Sequence, residues 1–334
     1  MTRATRSLAA LGILTLVLAA CSSVPSDGAA GEAAIPVPGG TTYPLTVQNC
    51  EAEVVFEQAP ERVILLESAP VTILDGLGVL DRVVSRAGSF PAEYYTPDLA
   101  KRIDEIPALS ENINASGHLL INTEVVIAEE PDLALGLPEG ITREGLLDAG
   151  ANALIQPVYC ATGVGDTSFE SLYEQVLVYG KIFDRSDEAE ELVADLQRRV
   201  TAVEEVTAGA EKRTIAVLYP SIGGGPLYAY GRASMAQPQV EAAGFENVFA
   251  DTADRVFEVS IEELLGHDPD AIVILYQGDG DAAIKEVTNL PGSESLRALE
   301  NDDVLAQLFN FTEPPTPLSV DGLERIVGFF GDGS

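Results

Sequence analysis

Short apolar runs alternate with amphipathic stretches along most of the chain. RVILLE at 62–67, RVVSR at 82–86, DLALGL at 132–137 and ALIQPV at 153–158 read as strands, and the stretches at 71–77 and 142–149 between them as helices. That alternation is the signature of a parallel α/β sheet. From 168 to about 206 the strand signal stops and helical periodicity takes over, interrupted only near Asp184, Arg185, Ser186 and Asp187. The alternation resumes after Lys212 with RTIAVLY at 213–219, NVF at 247–249, AIVILY at 271–276 and VLAQLF at 304–309, and a last helix is expected at about 318–330. The pattern predicts two α/β lobes joined by a long helix.

One phrase occurs twice, once in each predicted lobe. NTEVVIAEEPDL at 122–133 and SIEELLGHDPDA at 260–271 both begin with a helix-capping residue, place a glutamate two positions on, and reach Pro-Asp before an apolar run. Asn122 and Ser260 suit an N-cap, and Glu124 and Glu262 fall in the first turn, where the helix dipole favours a carboxylate by about 0.3–1 kcal/mol. Pro131-Asp132 and Pro269-Asp270 end each helix and lead into a strand. Read from the residues alone, the repeat says only that the two lobes are built alike.

The N-terminus carries processing signals rather than fold. Arg3 and Arg6 precede an apolar stretch at 8–20 that is too short to span a bilayer and matches a signal-peptide core, so 1–20 is read as a leader. Leu18-Ala19-Ala20-Cys21 resembles a bacterial lipobox, which makes Cys21 the expected lipidation site and 21–42, rich in Ser, Gly, Ala and Pro, a flexible tether. Lipidation of Cys21 leaves Cys50 and Cys160, whose default outside the cytoplasm is a disulfide closing about 110 residues. In the chain-entropy view such a loop contributes about 4–5 kcal/mol.

Composition narrows the partners. The chain has 334 residues with 19 basic and 53 acidic side chains, a formal charge of −34, and loss of Arg3 and Arg6 with the leader takes it to −36. Such a surface repels nucleic acid and anionic bilayers. A saline or acidic habitat explains the acidity equally well. DGLGVLD at 75–81 is no dinucleotide loop, because Gly76 and Gly78 follow a helical stretch and precede a strand. A G-x-S-x-G elbow is missing, and His118 and His267, in different lobes, make no metal-ligand set. Tyr94 and Tyr95 could suggest phenolate binding of bare ferric ion, but neighbours in a strand point to opposite faces.

Several segments together resemble the substrate-binding lipoproteins of ABC importers for ferric siderophores, haem and cobalamin, a class III periplasmic-binding-protein-like family. APERVILLESAPVTILDGLGVLDRVVSRAG at 59–88 and NTEVVIAEEPDL resemble the N-lobe segments, and YEQVLVYGKIFDRSDEAEELVADLQRRV at 173–200 the linking helix. YGRASMAQPQVEAAGFENVFAD at 230–251 and FEVSIEELLGHDPDAIVIL at 257–275 resemble the C-lobe segments, so the similarity covers 43–330. It implies two α/β lobes with parallel-type sheets, one long rigid helix between them and a ligand cleft. The expected divisions are an N-terminal lobe at 43–167, linking helices at 168–211, a C-terminal lobe at 212–321 and a closing helix and tail at 322–334.

The resemblance also implies a role for the repeated phrase. One glutamate at the tip of each lobe docks onto arginines of a dimeric membrane permease, and Glu124 and Glu262 match those positions, with Glu263, Glu129 and Glu130 as competitors. Ligands of open α/β sheets sit beyond the carboxyl ends of strands, which nominates Arg86, Phe90, Tyr94 and Tyr95 on one side and Tyr219, Tyr228, Tyr230, Arg232, Tyr276 and Phe309 on the other. The ligand-binding set taken forward is Arg86, Phe90, Tyr94, Tyr219, Tyr230, Arg232 and Tyr276. The loop FNFTEPPTPLSVDG at 309–322 has no basic residue, which favours a neutral or cationic ferric hydroxamate or a corrinoid over an anionic catecholate. The expectation is a monomeric, lipid-anchored binding protein on the outer face of the cytoplasmic membrane. It would feed a permease without catalysis, a cofactor or a metal of its own, iron arriving only inside its chelate. A sensing or scaffolding lipoprotein of the same fold is the other reading.

Overall fold

The computed structural model describes residues 40–112, 119–163, 165–209 and 211–331. The expected leader, Cys21 and most of the tether lie outside the described residues, as does His118.

The N-lobe begins with an antiparallel hairpin, β1 (Leu45–Asn49) and β2 (Ala52–Phe56). The sequence pattern gave no sign of it because its burial alternates and never becomes a continuous apolar run. Asn49 fastens the hairpin to the lobe: its Nδ2 donates to the Ile155 carbonyl (2.8 Å) and its Oδ1 accepts from the Ile155 N–H (2.9 Å). The expected disulfide between Cys50 and Cys160 is present beside this contact. Next come β3 (Val63–Leu65), α1 (Val71–Gly76), β4 (Val83–Ala87), α2 (Pro97–Asp104), β5 (Ala108–Ser110), α3 (Thr123–Ile127), β6 (Leu133–Leu135), α4 (Arg143–Asp148) and β7 (Asn152–Leu154). Five of these strands form a parallel sheet in the order β5-β4-β3-β6-β7. Val63, Ile64 and Leu65 are fully buried, as a strand covered by helices on both faces must be.

Two helices link the lobes. α5 (Phe169–Phe183) starts with a reciprocal cap between Ser168 and Ser171 and ends at Asp184, whose backbone is left-handed (φ 56°). α6 (Ser186–Thr207) has 22 residues, a rod of about 33 Å. The break foreseen near Asp184 is this elbow. Gly180 permits it, because a β-carbon there would lie 2.4 Å from Ala189 Cβ and 3.0 Å from the Arg185 carbonyl.

The C-lobe contains β8 (Arg213–Pro220), β9 (Leu227–Tyr230), α7 (Ala236–Ala242), β10 (Phe245–Asn247), β11 (Val256–Glu258), α8 (Ile261–His267), β12 (Ala271–Tyr276), α9 (Gly280–Thr288), α10 (Arg297–Glu300), β13 (Val304–Leu308) and α11 (Pro317–Gly331). Its parallel core of β10, β8, β12 and β13 is extended by antiparallel β9 and β11, so the sheet is mixed. β10 ends at Asn247, two residues before the end of the expected NVF strand. The reason is local: Asn247 Oδ1 accepts from the Phe249 N–H (3.0 Å) and turns the chain. α11 packs on α6, α7 and α1, with Arg199 of α6 paired to Asp321 (2.5 Å) and Glu324 (2.7 Å) of α11.

The repeated phrase has a structural meaning beyond ending a helix. Asp132 accepts from the N–H groups of Glu61 (2.7 Å) and Arg62 (3.0 Å), fixing the start of β3. Asp270 accepts from the Thr214 N–H (2.8 Å) and hydroxyl (2.9 Å), fixing the start of β8. Burial pushes the Asp270 carboxyl up, but the Thr214 bonds with Arg297 and Arg213 outweigh it and hold the group below its ordinary value. In both copies the residue before the proline is left-handed, Glu130 at φ 49° and Asp268 at φ 43°. Capping differs between the copies: Ser260 Oγ accepts from the Glu263 N–H, whereas Asn122 holds the N-cap backbone position without a side-chain cap bond.

Gly180→Ala forces the elbow apart. We expect a loss of about 1–3 kcal/mol in urea unfolding, from overpacking against Ala189 and the Arg185 carbonyl.

Candidate functional site

The carboxyl ends of the strands of the two sheets face each other. β3 leads into Glu67 and Ser68, β4 into a 3-10 turn at Ala92–Tyr94, and β7 into a second 3-10 turn at Pro157–Tyr159. Opposite them stand Tyr219 at the end of β8, Tyr230 closing β9, Tyr276 closing β12, and residues 309–313 after β13. Direct contacts cross the gap. The Asn310 N–H donates to the Tyr94 hydroxyl (2.9 Å), and Asn310 Nδ2 donates to Ser68 Oγ (3.0 Å). The Tyr94 ring meets Phe311 edge-on at 5.3 Å, and the Arg255 guanidinium lies over the Tyr159 ring at 5.3 Å.

The structure brings four of the nominated residues into one electrostatic neighbourhood. Burial raises the Tyr94 phenol above its ordinary value, against the Asn310 N–H, and the phenols of Tyr276 and Tyr219 add to the rise. The Tyr230 phenol is raised by burial and by Glu313, with Arg255 opposing and Tyr219 adding. Phe309 packs edge-on against Tyr219 at 5.8 Å. Tyr94 and Tyr95 are not strand neighbours, since Tyr94 ends the 3-10 turn and the two rings sit 6.0 Å apart at 63°.

The two nominated arginines have partners of their own. Arg86 lies inside β4 with 8 % of its surface exposed, donates from Nε to the Ile103 carbonyl (3.1 Å), and stacks on Phe90 at 5.2 Å. Asp104 and Glu111 balance its charge at 4.0 and 3.9 Å. Arg232 is exposed and pairs with Asp166 at 3.0 Å. Neither guanidinium is without a counter-charge.

Sequence reasoning missed the charged floor of the cleft. Glu313 is fully buried in the segment that lacks a basic residue, and its carboxylate accepts from the Met235 N–H (2.8 Å) and from Arg255 Nη1 (3.3 Å). Burial pushes this carboxyl up, with Arg255 and the Met235 N–H opposing. Glu67 is pushed up to about 7 by burial, with Gln156 beside it opposing. Tyr159 keeps 38 % of its surface exposed, yet burial of the phenol and the charges of Glu313 and Glu67 raise it well above its ordinary value. One signal was available: a glutamate between aromatics and a double proline, at 309–315, is out of place in an otherwise apolar stretch.

Glu124 and Glu262 are both exposed, each the second residue of its helix, α3 and α8. Glu124 borders a surface depression of about 590 Å³ that includes Leu120, Ile121 and Glu139. A second depression of about 480 Å³ lies among Glu170, Glu204, Lys212 and Glu241 at the far end of α6. Neither depression gathers side chains from both lobes as the residues around Tyr94, Asn310 and Phe311 do.

Arg255→Ala leaves Glu313 buried without its cation, and we expect a loss of about 3 kcal/mol, largely recovered in Arg255→Ala with Glu313→Gln. The folded Glu313 holds its proton more tightly than an unfolded carboxyl, so its contribution is full below the ordinary carboxylate range and is lost as pH rises through the folded value. The deficit of Arg255→Ala therefore grows from pH 5 to pH 8, read as the urea midpoint.

Comparison with known proteins fits this geometry. The family model described as "Periplasmic binding protein" matches residues 63–306. A crystal structure of an ABC-type Fe3+-hydroxamate transport system from Saccharomonospora viridis is 57 % identical, covers 87 % of this chain and 100 % of its own, and superposes with a TM-score of 0.82. A periplasmic heme-binding protein from Pseudomonas aeruginosa, 19 % identical, covers 82 % of this chain and 94 % of its own with a TM-score of 0.64, which speaks to fold alone. A vitamin B12-binding protein from Pectobacterium carotovorum is 26 % identical over 68 % of this chain and 75 % of its own. Two lobes, helical linkers and a family match across both sheets place this chain in the periplasmic binding protein family, whose members bind solutes outside the cytoplasm and are not enzymes.

Proposed function

We propose that this protein captures a ferric hydroxamate outside the cytoplasm and delivers it to the permease of an ABC importer. The observation that carries the reading is the 57 % identity to the Saccharomonospora viridis ABC-type Fe3+-hydroxamate transport protein over the whole of that chain. The cleft supports it chemically. Tyr94, Tyr219, Tyr230 and Tyr276 offer aromatic faces and hydroxyl donors, which suit the oxygen-rich shell of a chelated iron. Arg255 is matched by Glu313, Arg86 by Asp104 and Glu111, and Arg232 by Asp166. Among the described residues this leaves Arg325, over the Phe311 ring at 4.3 Å, as the one cation near them without a salt bridge, little positive charge for a strongly anionic catecholate. Iron enters with its chelate, and the protein supplies no metal ligand of its own.

Delivery rests on Glu124 and Glu262. One exposed carboxylate on each lobe suits a dimeric permease with two equivalent basic pockets, and Arg–carboxylate pairs fix orientation while contributing little net affinity. The working unit is a monomer, and Cys21, once acylated, holds it at the outer face of the membrane. The 26 % identity to a vitamin B12-binding protein favours a corrinoid as the second reading.

Native mass spectrometry of the mature chain with a ferric trishydroxamate, a ferric triscatecholate, haem and cobalamin tests the ligand. A one-to-one adduct with the trishydroxamate is expected. A cobalamin adduct alone moves the assignment to the corrinoid, a catecholate adduct overturns the charge argument, and no adduct favours a sensing or scaffolding lipoprotein.

Glu124→Ala with Glu262→Ala should leave chelate affinity within about twofold and abolish import in cells, because only exposed charges that make no contact between the lobes are lost. Unchanged import would remove the docking assignment.

A further inference from the structure

The N-lobe wall of the cleft holds a carboxyl and a carboxamide whose buried atoms lack partners. Glu67 Oε1 and Gln156 Nε2 are both buried, and although Gln156 stands near enough to draw the Glu67 carboxyl down, neither atom closes a hydrogen bond of ordinary geometry with a protein atom. Gln156 is 1 % exposed, and its orientation is set because Oε1 accepts from Gln175 Nε2 of α5 (2.6 Å). Its remaining capacity is therefore that of a donor. Room for the Glu67 side chain comes from Gly136, at φ +98°, where a β-carbon would stand 3.0 Å from Glu67 Cγ. Buried polar atoms are almost always paired, so a donor and an acid that stand side by side without closing their bond need an explanation.

Their position supplies one. Glu67 precedes Ser68, which accepts from Asn310 of the opposite lobe, and its charge is felt by Tyr159, which carries Arg255 of the opposite lobe on its ring. Glu67 thus lies between two lobe-to-lobe contacts, and a ligand that parts them meets it. The groups facing it are Gln156, the phenols of Tyr159 and Tyr179, and, beyond Tyr159, the Arg255–Glu313 pair. An ionised Glu67 would turn a bare negative charge toward the oxygens around a chelated iron. A neutral Glu67 turns an O–H toward them.

We propose that Glu67 is a specificity-determining residue of the cleft: its neutral carboxyl donates a hydrogen bond to an oxygen of the bound chelate, and Gln156 Nε2–H donates to the same oxygen-rich edge. This rests on the ferric-hydroxamate reading above. Burial pushes the Glu67 carboxyl up to about 7, so the donor form is abundant at mildly acidic pH and is lost as the pH rises through neutrality.

The test is the affinity of the mature chain for ferrichrome, a neutral ferric trishydroxamate, followed by tyrosine fluorescence from pH 6 to pH 8.5. Wild type should weaken by about tenfold or more across that range, since each pH unit above the group's midpoint removes about tenfold of the donor form. Glu67→Gln, which keeps an N–H donor at every pH, should bind about as tightly as wild type at pH 6 and lose the pH dependence. Gln156→Leu should weaken binding at every pH and keep the slope. A wild-type slope that persists in Glu67→Gln, or a flat wild-type profile, overturns the assignment of Glu67 while the ferric-hydroxamate reading stands. Failure of wild type to bind ferrichrome at any pH overturns both. If Glu67→Gln does not fold, the infrared carbonyl band of a protonated acid in the wild-type complex decides: a band at pH 6 that is insensitive to ferrichrome overturns the proposal, and one that shifts on binding supports it.

Discussion

The wall of the C-lobe depends on one buried carboxamide. Gln239, fully enclosed on α7, donates from Nε2 to the carbonyls of Phe311 and Ser319, both at 2.7 Å, and its Oε1 accepts from Thr312 Oγ1 (2.8 Å). Thr312 in turn accepts from Gln307 Nε2 (2.8 Å), and Ser319 Oγ donates to the Thr312 carbonyl (3.1 Å). The segment from 310 to 320 is buried throughout, so its backbone polar groups must be satisfied inside the protein. Gly322 makes the arrangement possible, because a β-carbon there would lie 1.8 Å from the Phe311 carbonyl oxygen. Asn310, Phe311 and Glu313 reach the cleft from a strap with no freedom of its own.

That rigidity explains why the cleft contacts are few and specific. Asn310 meets Tyr94 and Ser68, Phe311 meets Tyr94, and Glu313 holds the arginine that covers Tyr159. On the opposite side the disulfide and Asn49 tie the first hairpin to the end of β7, where Gln156 and Tyr159 arise. Both walls are thus built from segments fixed independently of any ligand, which lowers the ordering cost of binding.

The fold was readable in the sequence where burial was complete. VIL at β3 and AIVILY at β12 are covered on both faces and appear as unbroken apolar runs, and Asp184 announced the elbow between α5 and α6. Strands β9 and β11 escaped notice because one is four residues and the other three, and antiparallel pairing leaves no long apolar run. Tyr94 closes a 3-10 turn, whereas Tyr219, Tyr230 and Tyr276 were legible as strand ends. The pair Arg255 and Glu313 was not, since 58 residues separate them and only the strap brings them together. The counter-charges of Arg86 were hidden for the same reason: Asp104 and Glu111 come to it from α2 and the loop after β5.

The twice-written phrase has a mechanical side. In the N-lobe, α3 carries Glu124, Asp132 clamps Glu61 and Arg62 just before β3, and Glu67 follows two residues after that strand ends. In the C-lobe, α8 carries Glu262, Asp270 clamps the start of β8, and that strand delivers Tyr219. Each exposed carboxylate therefore stands on a helix whose following aspartate fixes the start of one strand that runs toward the other lobe. The molecule makes the same joint twice, so one local rule of a dozen residues sets the root of a wall strand in each lobe.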